Sequence, residues 1–395
     1  MPPEAATGRV SARVSPSCGF FLRPVRFLVP GTTGRFRCGG LLVELQTARL
    51  ISRIAPVQVV TYRQREADHP FLDDLLRQEP VGWSSRRSAS GPEFAEGDAS
   101  AGAADPLWIV SWGFDVPKLL RRLHGRAVAY HAHSSGYGFD LPPGVPVLAV
   151  SRNTLGYWGD RAPRNPLFLV PNALEPQWLE RGARPGTAAA SALGAQHGPG
   201  RPMDVLVQQR KNSAYVLDQL VPALRSRGLR VEVQSGWVDD LVDLFNSAAV
   251  VLYDSADYWR GRGVSEGFGL PPIEALACGC VVFSSLNHAL ADTLDPGQLG
   301  HQIGCGSLAT DLERIEAAVA DPAAWRPESR LLDALLEGCS EVVLLQRWQS
   351  ALQAIDRHWS QLAAGESALV APSPRQLRWL ARARRMARLL ALRRG

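Results

Sequence analysis

Residues 265–285 read SEGFGLPPIEALACGCVVFSS, a glycine-rich loop that leads into a short helix and then a buried strand. Pro272 suits the first turn of that helix, because its missing N–H would be unpaired there in any case. Glu274 is predicted to lie in the same turn, residues 278–279 to end the helix, and residues 281–283 to form the strand. A loop of this type predicts an anion site, because free backbone N–H groups and the helix dipole both face the ligand.

Two carboxylates flank this loop, Glu266 on the loop and Glu274 inside the helix, with seven residues between them. Carboxylates accept hydrogen bonds, and a sugar offers hydroxyl donors on every face. The pattern therefore fits a ligand with phosphates in its middle and hydroxyl-rich ends, such as a nucleotide-sugar. A structural explanation stays open for either residue alone, because the dipole favours glutamate near a helix start and Gly-Phe-Gly can be a tight turn.

The string from Glu266 to Gly279 closely resembles the EGFGLPxxEAxAxG signature of family 4 retaining nucleotide-sugar glycosyltransferases, "glycosyl transferases group 1". The resemblance implies an α/β architecture of the GT-B type, in which two Rossmann-like, doubly wound domains face a cleft. It also implies roles for the residues that match. Glu274 would bind the ribose hydroxyls, and Glu266 would hold the hexose together with the backbone of Gly267, Phe268, Gly269 and Leu270.

The N-terminal half, about residues 21–180, is predicted to form the first of these domains, which the resemblance assigns to the acceptor. A strand at 24–29, a helix at 41–53 and a strand at 57–61 are typical of the start of a doubly wound parallel sheet. Further strands are predicted at 107–112, 128–131, 147–150 and 167–170. Residues 1–20 are predicted to be a disordered leader and the low-complexity stretch 84–106 a mobile surface loop.

Two glycines and two histidines are the candidate ligand contacts of this half. Gly39 and Gly40 resemble a family diglycine that lets the backbone approach the donor phosphates, although a helix start explains them equally well. In the string YHAHSSGYGF, alternation places His131 and His133 on the same side of a strand end. In the family, a histidine at such a strand end binds the donor sugar, and His133 matches it better. A buried structural histidine remains the alternative.

The stretch 181–202 is rich in Gly, Ala and Pro and is the best candidate for a domain boundary. Beyond it, residues 203–340 are predicted to form a nucleotide-sugar-binding domain with strands at 204–208, 231–234 and 250–253. An amphipathic helix follows at 341–362, and the resemblance implies that this helix crosses back onto the first domain.

Arg210 and Lys211 follow the first strand of this second domain. Family members hold the donor diphosphate with an arginine and a lysine about five residues apart. Lys211 matches the family lysine, whereas Arg210 stands next to it instead of five residues before it. A solvated basic pair is the alternative explanation.

Trp237 is a candidate for stacking on the nucleotide base, with a buried core tryptophan as the alternative. No D-x-D pair typical of metal-dependent glycosyltransferases stands out, since Asp239 and Asp240 are predicted to lie on a helix. Lysine, arginine and the helix dipole would take the place of a cation. No metal and no cofactor are therefore expected.

Composition and charge narrow the class of protein. A chain of 395 residues with 46% hydrophobic and 21% charged residues suits a globular protein of two domains. No apolar run approaches the roughly 18 residues that span a bilayer. Six cysteines without a C-x-x-C pair favour free thiols in a reducing cytoplasm. Nucleic acid is not expected as a partner, because the basic residues are not spread over a folded face.

The net positive charge of the chain comes from the last 25 positions, because residues 371–395 hold eight Arg and no acidic residue. At 100° per residue, Trp379, Ala383, Met386, Ala387 and Leu390 fall near one helix face, while Arg384, Arg385 and Arg388 point away from it. This pattern is typical of a basic amphipathic helix at an anionic membrane surface. A helix docked on the acidic body of the protein, or a disordered tail, are the alternatives.

Together, the residues and the resemblance predict a retaining, metal-independent glycosyltransferase that moves a sugar from a nucleotide-sugar to a glycan or lipid-linked acceptor, in the cytoplasm and in contact with the membrane. Two other functions stay open. One is a nucleotide-sugar epimerase of the same fold, and the other is a non-catalytic binding or assembly protein. The presence of all three of Lys211, Glu266 and Glu274 argues against the non-catalytic alternative, because a protein without activity does not need them together.

Overall fold

The structure, a computed structural model, describes residues 23–64, 72, 105–197 and 200–392. Two parallel β-sheets, of six and five strands, organise this part of the chain. The predicted leader at 1–20 and nearly all of the loop predicted at 84–106 lie outside the described residues.

The first sheet has the strand order β2-β1-β3-β4-β5-β6, and all of its strand pairs are parallel. Its strands are β1 (Val25–Val29), β2 (Val57–Thr61), β3 (Leu107–Val110), β4 (Val128–Ala132), β5 (Val147–Ala149) and β6 (Leu167–Leu169). The strands are near-continuous apolar runs with no more than two polar residues each, as expected for parallel strands that are buried on both faces. Each lies within about two residues of its predicted position.

Helices cover both faces of the first sheet. They are α1 (Gly39–Ile51), α2 (Val116–Arg122) and α3 (Arg152–Arg161), with short 3-10 turns at Gly34–Phe36 and Gly113–Asp115. Alternate residues of β1 point to opposite faces, so that Phe27 packs in the cluster that contains α1 and Leu28 in the cluster that contains α2 and α3. The sheet is therefore the middle layer of a three-layer domain.

The second sheet has the strand order β11-β10-β9-β7-β8 and is also parallel. Its strands are β7 (Met203–Gln208), β8 (Val231–Gln234), β9 (Ala248–Tyr253), β10 (Val281–Ser284) and β11 (His301–Gln302). The first four match the predicted strands. The edge strand β11 has only two residues and no apolar run, and for that reason the sequence pattern did not predict it.

The helices from residue 176 onward are α4 (Pro176–Arg181), α5 (Ala188–His197), α6 (Val221–Ser226, preceded by a π-turn at Tyr215–Leu220), α7 (Leu241–Asn246), α8 (Ala256–Arg260), α9 (Leu270–Ala277), α10 (Leu290–Thr293), α11 (Leu308–Ala320), α12 (Pro322–Trp325), α13 (Ser329–Gly338), α14 (Glu341–Ala363) and α15 (Pro374–Leu392). Helix α5 lies within the stretch predicted as a linker. The two faces of the second sheet have separate cores, one with Phe245 and Ile273 and the other with Leu220 and Ile315.

Helix α14 returns from the second sheet to the first. The Ser340 side chain caps it by accepting a hydrogen bond from the backbone N–H of Val343 at 3.3 Å. Trp348 and Ile355 are buried in the same core as β1 and α1. This contact closes the apolar face of the first domain with residues from the far end of the chain.

Helix α15 is exposed along its length, since every side chain over 374–389 is solvent-exposed. Trp379 is 68% exposed and Met386 57% exposed. The described part of this helix therefore does not dock on the protein, contrary to one of the alternatives for the basic tail. Within the described ranges, no helix is both long and apolar enough to cross a membrane.

Two local expectations were wrong. Pro272 lies in the first turn of α9 as predicted, but the helix begins at Leu270, so Glu274 is its fifth residue and lies in the second turn. Asp239 precedes α7, and Asp240 is its N-cap, whose side chain accepts a hydrogen bond from the Asp243 N–H at 3.0 Å. Neither aspartate lies inside the helix, because an aspartate at a helix start satisfies the free N–H groups of the first turn.

Candidate active site

A cleft of about 1170 Å³ lies between the two sheets and contains every residue predicted for the site. The first domain contributes Gly39, Gly40 and His133 to its lining. The second domain contributes Arg210, Lys211, Trp237, Glu266, Gly267, Phe268, Gly269, Leu270 and Glu274. The carboxyl ends of parallel strands are where open α/β sheets bind ligands, and this explains why residues so far apart in sequence meet here.

The loops at 133–136 and 263–267 join the two domains at this cleft. The Ser134 hydroxyl donates to the Ser265 carbonyl at 2.6 Å, and the Ser135 N–H donates to the Ser265 hydroxyl at 2.9 Å. Glycine is required at two positions where these loops contact each other. A Cβ on Gly136 would overlap with the carbonyl oxygen of Gly263, and a Cβ on Gly267 would overlap with that of His133.

Glu266 is held on one side of its carboxylate only. Its Oε2 accepts hydrogen bonds from the Tyr253 hydroxyl at 2.6 Å and from the Trp259 indole N–H at 2.7 Å. Its Oε1 lies 3.6 Å from Nζ of Lys211. Glu266 is 4% exposed, and the two hydrogen bonds to Oε2 fix the orientation of its carboxylate. Oε1, which faces Lys211, is therefore the oxygen that can accept a hydrogen bond from a ligand.

Lys211 adopts a backbone conformation that is rare for a side-chain-bearing residue, with φ at 72°. It is the third residue after β7, and its Nζ lies 4.7 Å from the ring centroid of Trp259, besides its contact with Glu266. Its neighbour Arg210 is exposed and also lines the cleft. A strained backbone at such a position is common where a side chain must be aimed at a ligand.

Glu274 faces the cleft from α9 and forms no side-chain hydrogen bond within the described ranges. Desolvation by the surrounding protein raises the pKa of its carboxyl to about 8, with Glu175 adding to the effect and Lys211 opposing it. A carboxyl group that is unpaired, desolvated and open to a cleft is a candidate for binding a ligand with hydroxyl groups.

Gly39 and Gly40 form the first turn of α1, at the N-terminal end of the helix dipole. A Cβ on Gly39 would have open space around it, and one on Gly40 would meet only the Sγ of Cys38, at 4.0 Å. The absence of side chains therefore serves no packing requirement within the described structure. It leaves the backbone N–H groups accessible from the cleft.

His133 lies at the end of β4, where it bonds to a residue that sequence reasoning missed. Glu44 of α1 is 2% exposed, and its Oε1 lies 2.7 Å from Nδ1 of His131 and 2.6 Å from Nε2 of His133. His131 is the buried histidine of the pair and packs edge-on against Trp348, while the His133 side chain is 17% exposed. Glu44 lies on the apolar face of α1 between Leu41 and Ala48, and an acidic residue on that face was the available signal.

Trp237 is 61% exposed on the cleft wall, so the alternative of a buried core tryptophan is wrong. Its indole N–H donates to Asp239 at 2.7 Å. The guanidinium of Arg37, which comes from the first domain, lies 3.1 Å from the Trp237 ring centroid. One face of this ring is therefore covered by the Arg37 guanidinium, which shows that the ring can stack on a planar cationic group.

Tyr253, Trp259 and His288 also belong to the site but were not predicted from the sequence. The backbone N–H of Glu266 lies 3.3 Å from Nδ1 of His288, so all three residues hold Glu266 in place. The signal for Tyr253 was its position at the end of a buried strand. No sequence pattern indicated His288, whose backbone has φ at 54°.

Comparison with known proteins supports the fold and part of the second domain. A family model described as "Glycosyl transferases group 1" matches residues 220–330. No curated protein sequence matches the chain.

Solved structures similar to this one include sucrose-phosphate synthase from Thermosynechococcus elongatus, with 18% identity, a TM-score of 0.56, and coverage of 87% of this chain and 100% of that chain. HepE from Anabaena in complex with UDP has 16% identity, a TM-score of 0.59 and coverage of 84% and 100%. HepE in complex with UDP-glucose has 16% identity, a TM-score of 0.58 and coverage of 84% and 99%.

The fold expected from the sequence is confirmed by the two parallel sheets and by these neighbours. The chain is an α/β protein of the GT-B fold, and its residues 220–330 are similar to group 1 glycosyltransferases.

Proposed function

We propose that this protein is a glycosyltransferase that takes a sugar from a nucleotide-sugar and transfers it to a glycan or lipid-linked acceptor. The observation that carries the proposal is the meeting of Lys211, Glu266 and Glu274 with His133 across one cleft. HepE, which has a similar fold, is described in complex with UDP and UDP-glucose, so UDP-sugars are the first donors to test.

The donor would lie along the second domain. Glu274 would accept hydrogen bonds from the ribose hydroxyls, and Oε1 of Glu266, which faces Lys211, would accept one from the sugar. Lys211, with Arg210 beside it, would neutralise the charge that develops on the departing diphosphate, and Gly39 and Gly40 would let the α1 N-terminus approach it. Stabilising that charge is the demanding part of donor cleavage.

Retention of configuration is supported by the resemblance of residues 266–279 to retaining enzymes, and metal independence by the same comparison together with Lys211. A cationic side chain and a helix N-terminus can supply positive charge where other enzymes use a metal ion. The anomeric form of the first product, read by proton NMR, tests retention. Full turnover in the presence of a chelator is the expected result for metal independence.

The first domain offers an aromatic surface for the acceptor. Trp112, Phe114 and Tyr137 line its side of the cleft, and Phe114 is 73% exposed with its ring 4.9 Å from that of Tyr137. Exposed aromatic rings next to polar groups are typical of ligand sites that bind partly apolar molecules. A sugar ring or the first part of a lipid-linked glycan has that mixed character.

Helix α15 would hold the enzyme at an anionic membrane as a peripheral protein. Its arginines Arg375, Arg378, Arg382, Arg384, Arg385 and Arg388 occupy one half of the helix circumference, and the other half presents Trp379 and Met386 without a charge. Each Arg near an anionic surface contributes on the order of 1 kcal/mol, so several together give reversible binding. Exposed tryptophan at an interface adds apolar contact.

The test of the main proposal is donor cleavage in a panel of nucleotide-sugars, with and without candidate acceptor glycans. We expect release of nucleoside diphosphate from one donor and faster release with the right acceptor. Glu266→Ala should lose this activity, whereas Glu232→Ala, which removes an exposed glutamate from β8 of the same domain, should keep it. Isomerised donor without transfer would indicate an epimerase, and binding without any turnover would indicate a non-catalytic protein.

A further inference from the structure

The buried residues Glu44 and His131, which have no role in the proposed function, form a cluster with His133. Both imidazoles contact the same carboxylate oxygen, Oε1 of Glu44, at 2.7 and 2.6 Å. Within the described ranges, these two histidines are the only ion-pair partners that Glu44 has. Its second oxygen, Oε2, is buried without a hydrogen bond.

The protonation state of Glu44 follows from its neighbours. Burial by itself raises the pKa of the carboxyl, but the two histidines outweigh burial and bring this pKa down to about 2. An ionised carboxylate only accepts hydrogen bonds. Both contacting ring nitrogens must therefore carry a proton, which is Nδ1–H in His131 and Nε2–H in His133.

This constraint determines what each ring presents on its other side. His131 is buried, and burial lowers the pKa of its imidazole despite the opposing effect of Glu44. Its Nε2 has no hydrogen-bond partner. The His133 ring stands at the cleft, and with Nε2 engaged its Nδ1 is the nitrogen that remains for a ligand. In the neutral ring, Nδ1 is an acceptor.

We propose that Glu44 is a positioning residue that fixes His133 in the Nε2–H tautomer, so that the bare Nδ1 accepts a hydrogen bond from a hydroxyl group of the ligand. The assignment selects for hydroxyl-bearing ligands and against anionic oxygens at this point of the cleft, because two acceptors cannot bond. Its effect on turnover rests on the proposed function, whereas the tautomer does not.

The same three side chains are also the metal-capable cluster found within the described ranges. The distances favour hydrogen bonds over coordination, because one oxygen stands within 2.7 Å of both nitrogens. Ligand atoms around a metal surround the ion and do not converge on one of the ligands. Metal binding by this cluster would therefore contradict the proposal.

The test uses the full-length protein labelled with 15N-histidine and two-bond proton–nitrogen correlation spectra, with His133 assigned from the signal that His133→Gln removes. We expect the Nε2–H tautomer for His133 in the wild type near neutral pH. The Nδ1–H tautomer, or a doubly protonated ring, overturns the proposal without reference to any activity or to the folding of a variant.

Two substitutions of Glu44 add the functional readout. Glu44→Met keeps most of the volume but removes the acceptor, and we expect mixed tautomers of His133 and a loss of kcat of about tenfold or more. Glu44→Gln keeps one acceptor oxygen and should restore the tautomer and most of the rate. Glu341→Gln is the matched control, because Glu341 contacts Gln46 and Arg49 of α1 but neither histidine.

The remaining outcomes are equally decisive. A wild-type tautomer and kcat in folded Glu44→Met would overturn the positioning role. So would stoichiometric zinc binding by the wild type, measured by calorimetry, that Glu44→Met abolishes. If no donor is cleaved, the proposed function fails while the spectra still decide the tautomer.

Discussion

The backbone of Gly267 lies against the carbonyl oxygen of His133, so closely that a Cβ on the glycine would overlap with that oxygen. The φ of Gly267 is not in the left-handed region, so space alone excludes a side chain there. We therefore expect Gly267→Ala to push the 263–267 loop away from His133. Displacing a catalytic loop by about 1 Å can cost about a hundredfold in rate.

Turnover and thermal unfolding of Gly267→Ala check this expectation together. Gly156→Ala is the control, since Gly156 lies in α3 and a Cβ on it would meet nothing within 4 Å. The control should keep its activity and gain some stability, because alanine is favoured over glycine inside a helix. A folded Gly267→Ala with the wild-type rate would mean that the two loops can separate without consequence for the site.

Lys211 allows charge and backbone strain to be separated. Lys211→Ala and Lys211→Gly both remove the ammonium group beside Glu266, and we expect both to lower donor cleavage by about ten- to a hundredfold. Glycine tolerates the φ of 72° freely, so Lys211→Gly should be more stable than Lys211→Ala by about 1 kcal/mol. Denaturant unfolding measures the difference in stability between the two variants. Unchanged affinity for UDP in calorimetry, together with an unchanged rate of donor cleavage, would show that Lys211 is only a surface charge.

Glu274 should release a proton when a nucleotide binds. Its pKa of about 8 keeps the carboxyl largely protonated near pH 7, whereas ribose hydroxyls bond best to the ionised form. Calorimetric titration with UDP in buffers of different ionisation enthalpy should show proton release that Glu274→Gln lacks. Equal proton release by both proteins would remove Glu274 from the nucleotide site.

The same shift has a consequence for stability. The folded carboxyl of Glu274 holds its proton to a higher pH than the unfolded one, so the free energy of unfolding of the ligand-free protein falls as pH rises from about 4.5 to about 8. Glu274→Gln should be less sensitive to pH in that window. Unfolding curves of the two proteins at several pH values measure the slope.

Gly40→Ala should separate stability from ligand binding in the first domain. Gly40 has helical geometry in α1 with space for a methyl group, so alanine should raise the free energy of unfolding by about 0.5–1 kcal/mol. The same methyl group would stand where the diphosphate must approach the backbone, and we expect weaker UDP-sugar binding. A variant that is more stable and equally active would mean that the diphosphate does not approach Gly40.

Helix α15 should bind anionic vesicles. Sedimentation with phosphatidylglycerol vesicles at low salt should recover the full-length chain but not a chain ending at Ala371, and added salt should release it. Replacing Trp379 and Met386 by serine should weaken binding while the charge is unchanged. Equal recovery of the full and shortened chains would show that α15 is not the anchor.

The strands were predictable because parallel strands buried on both faces are near-continuous apolar runs such as LWIV and VVFS, and such runs are visible without a structure. The residues of the cleft were found through one strongly patterned segment at 266–279.

Contacts between residues distant in sequence were not predictable in the same way. Glu44 meets His133 because α1 packs over the end of β4, and no local pattern contains that pairing. The bonds of Ser265 to Ser134 and Ser135 depend on how two domains approach each other. The sequence does not decide whether Trp237 lies in the core or on the surface, because aromatic residues occur in both.

The return of α14 to the first domain also imposes an order on biosynthesis. Domains usually fold as they leave the ribosome, N-terminal first, at about 5–20 residues per second of translation. Here the core around Phe27 lacks Trp348, Leu352 and Ile355 until the whole second domain has been translated. The nascent first domain is therefore expected to expose the apolar surface of this core until α14 has been translated.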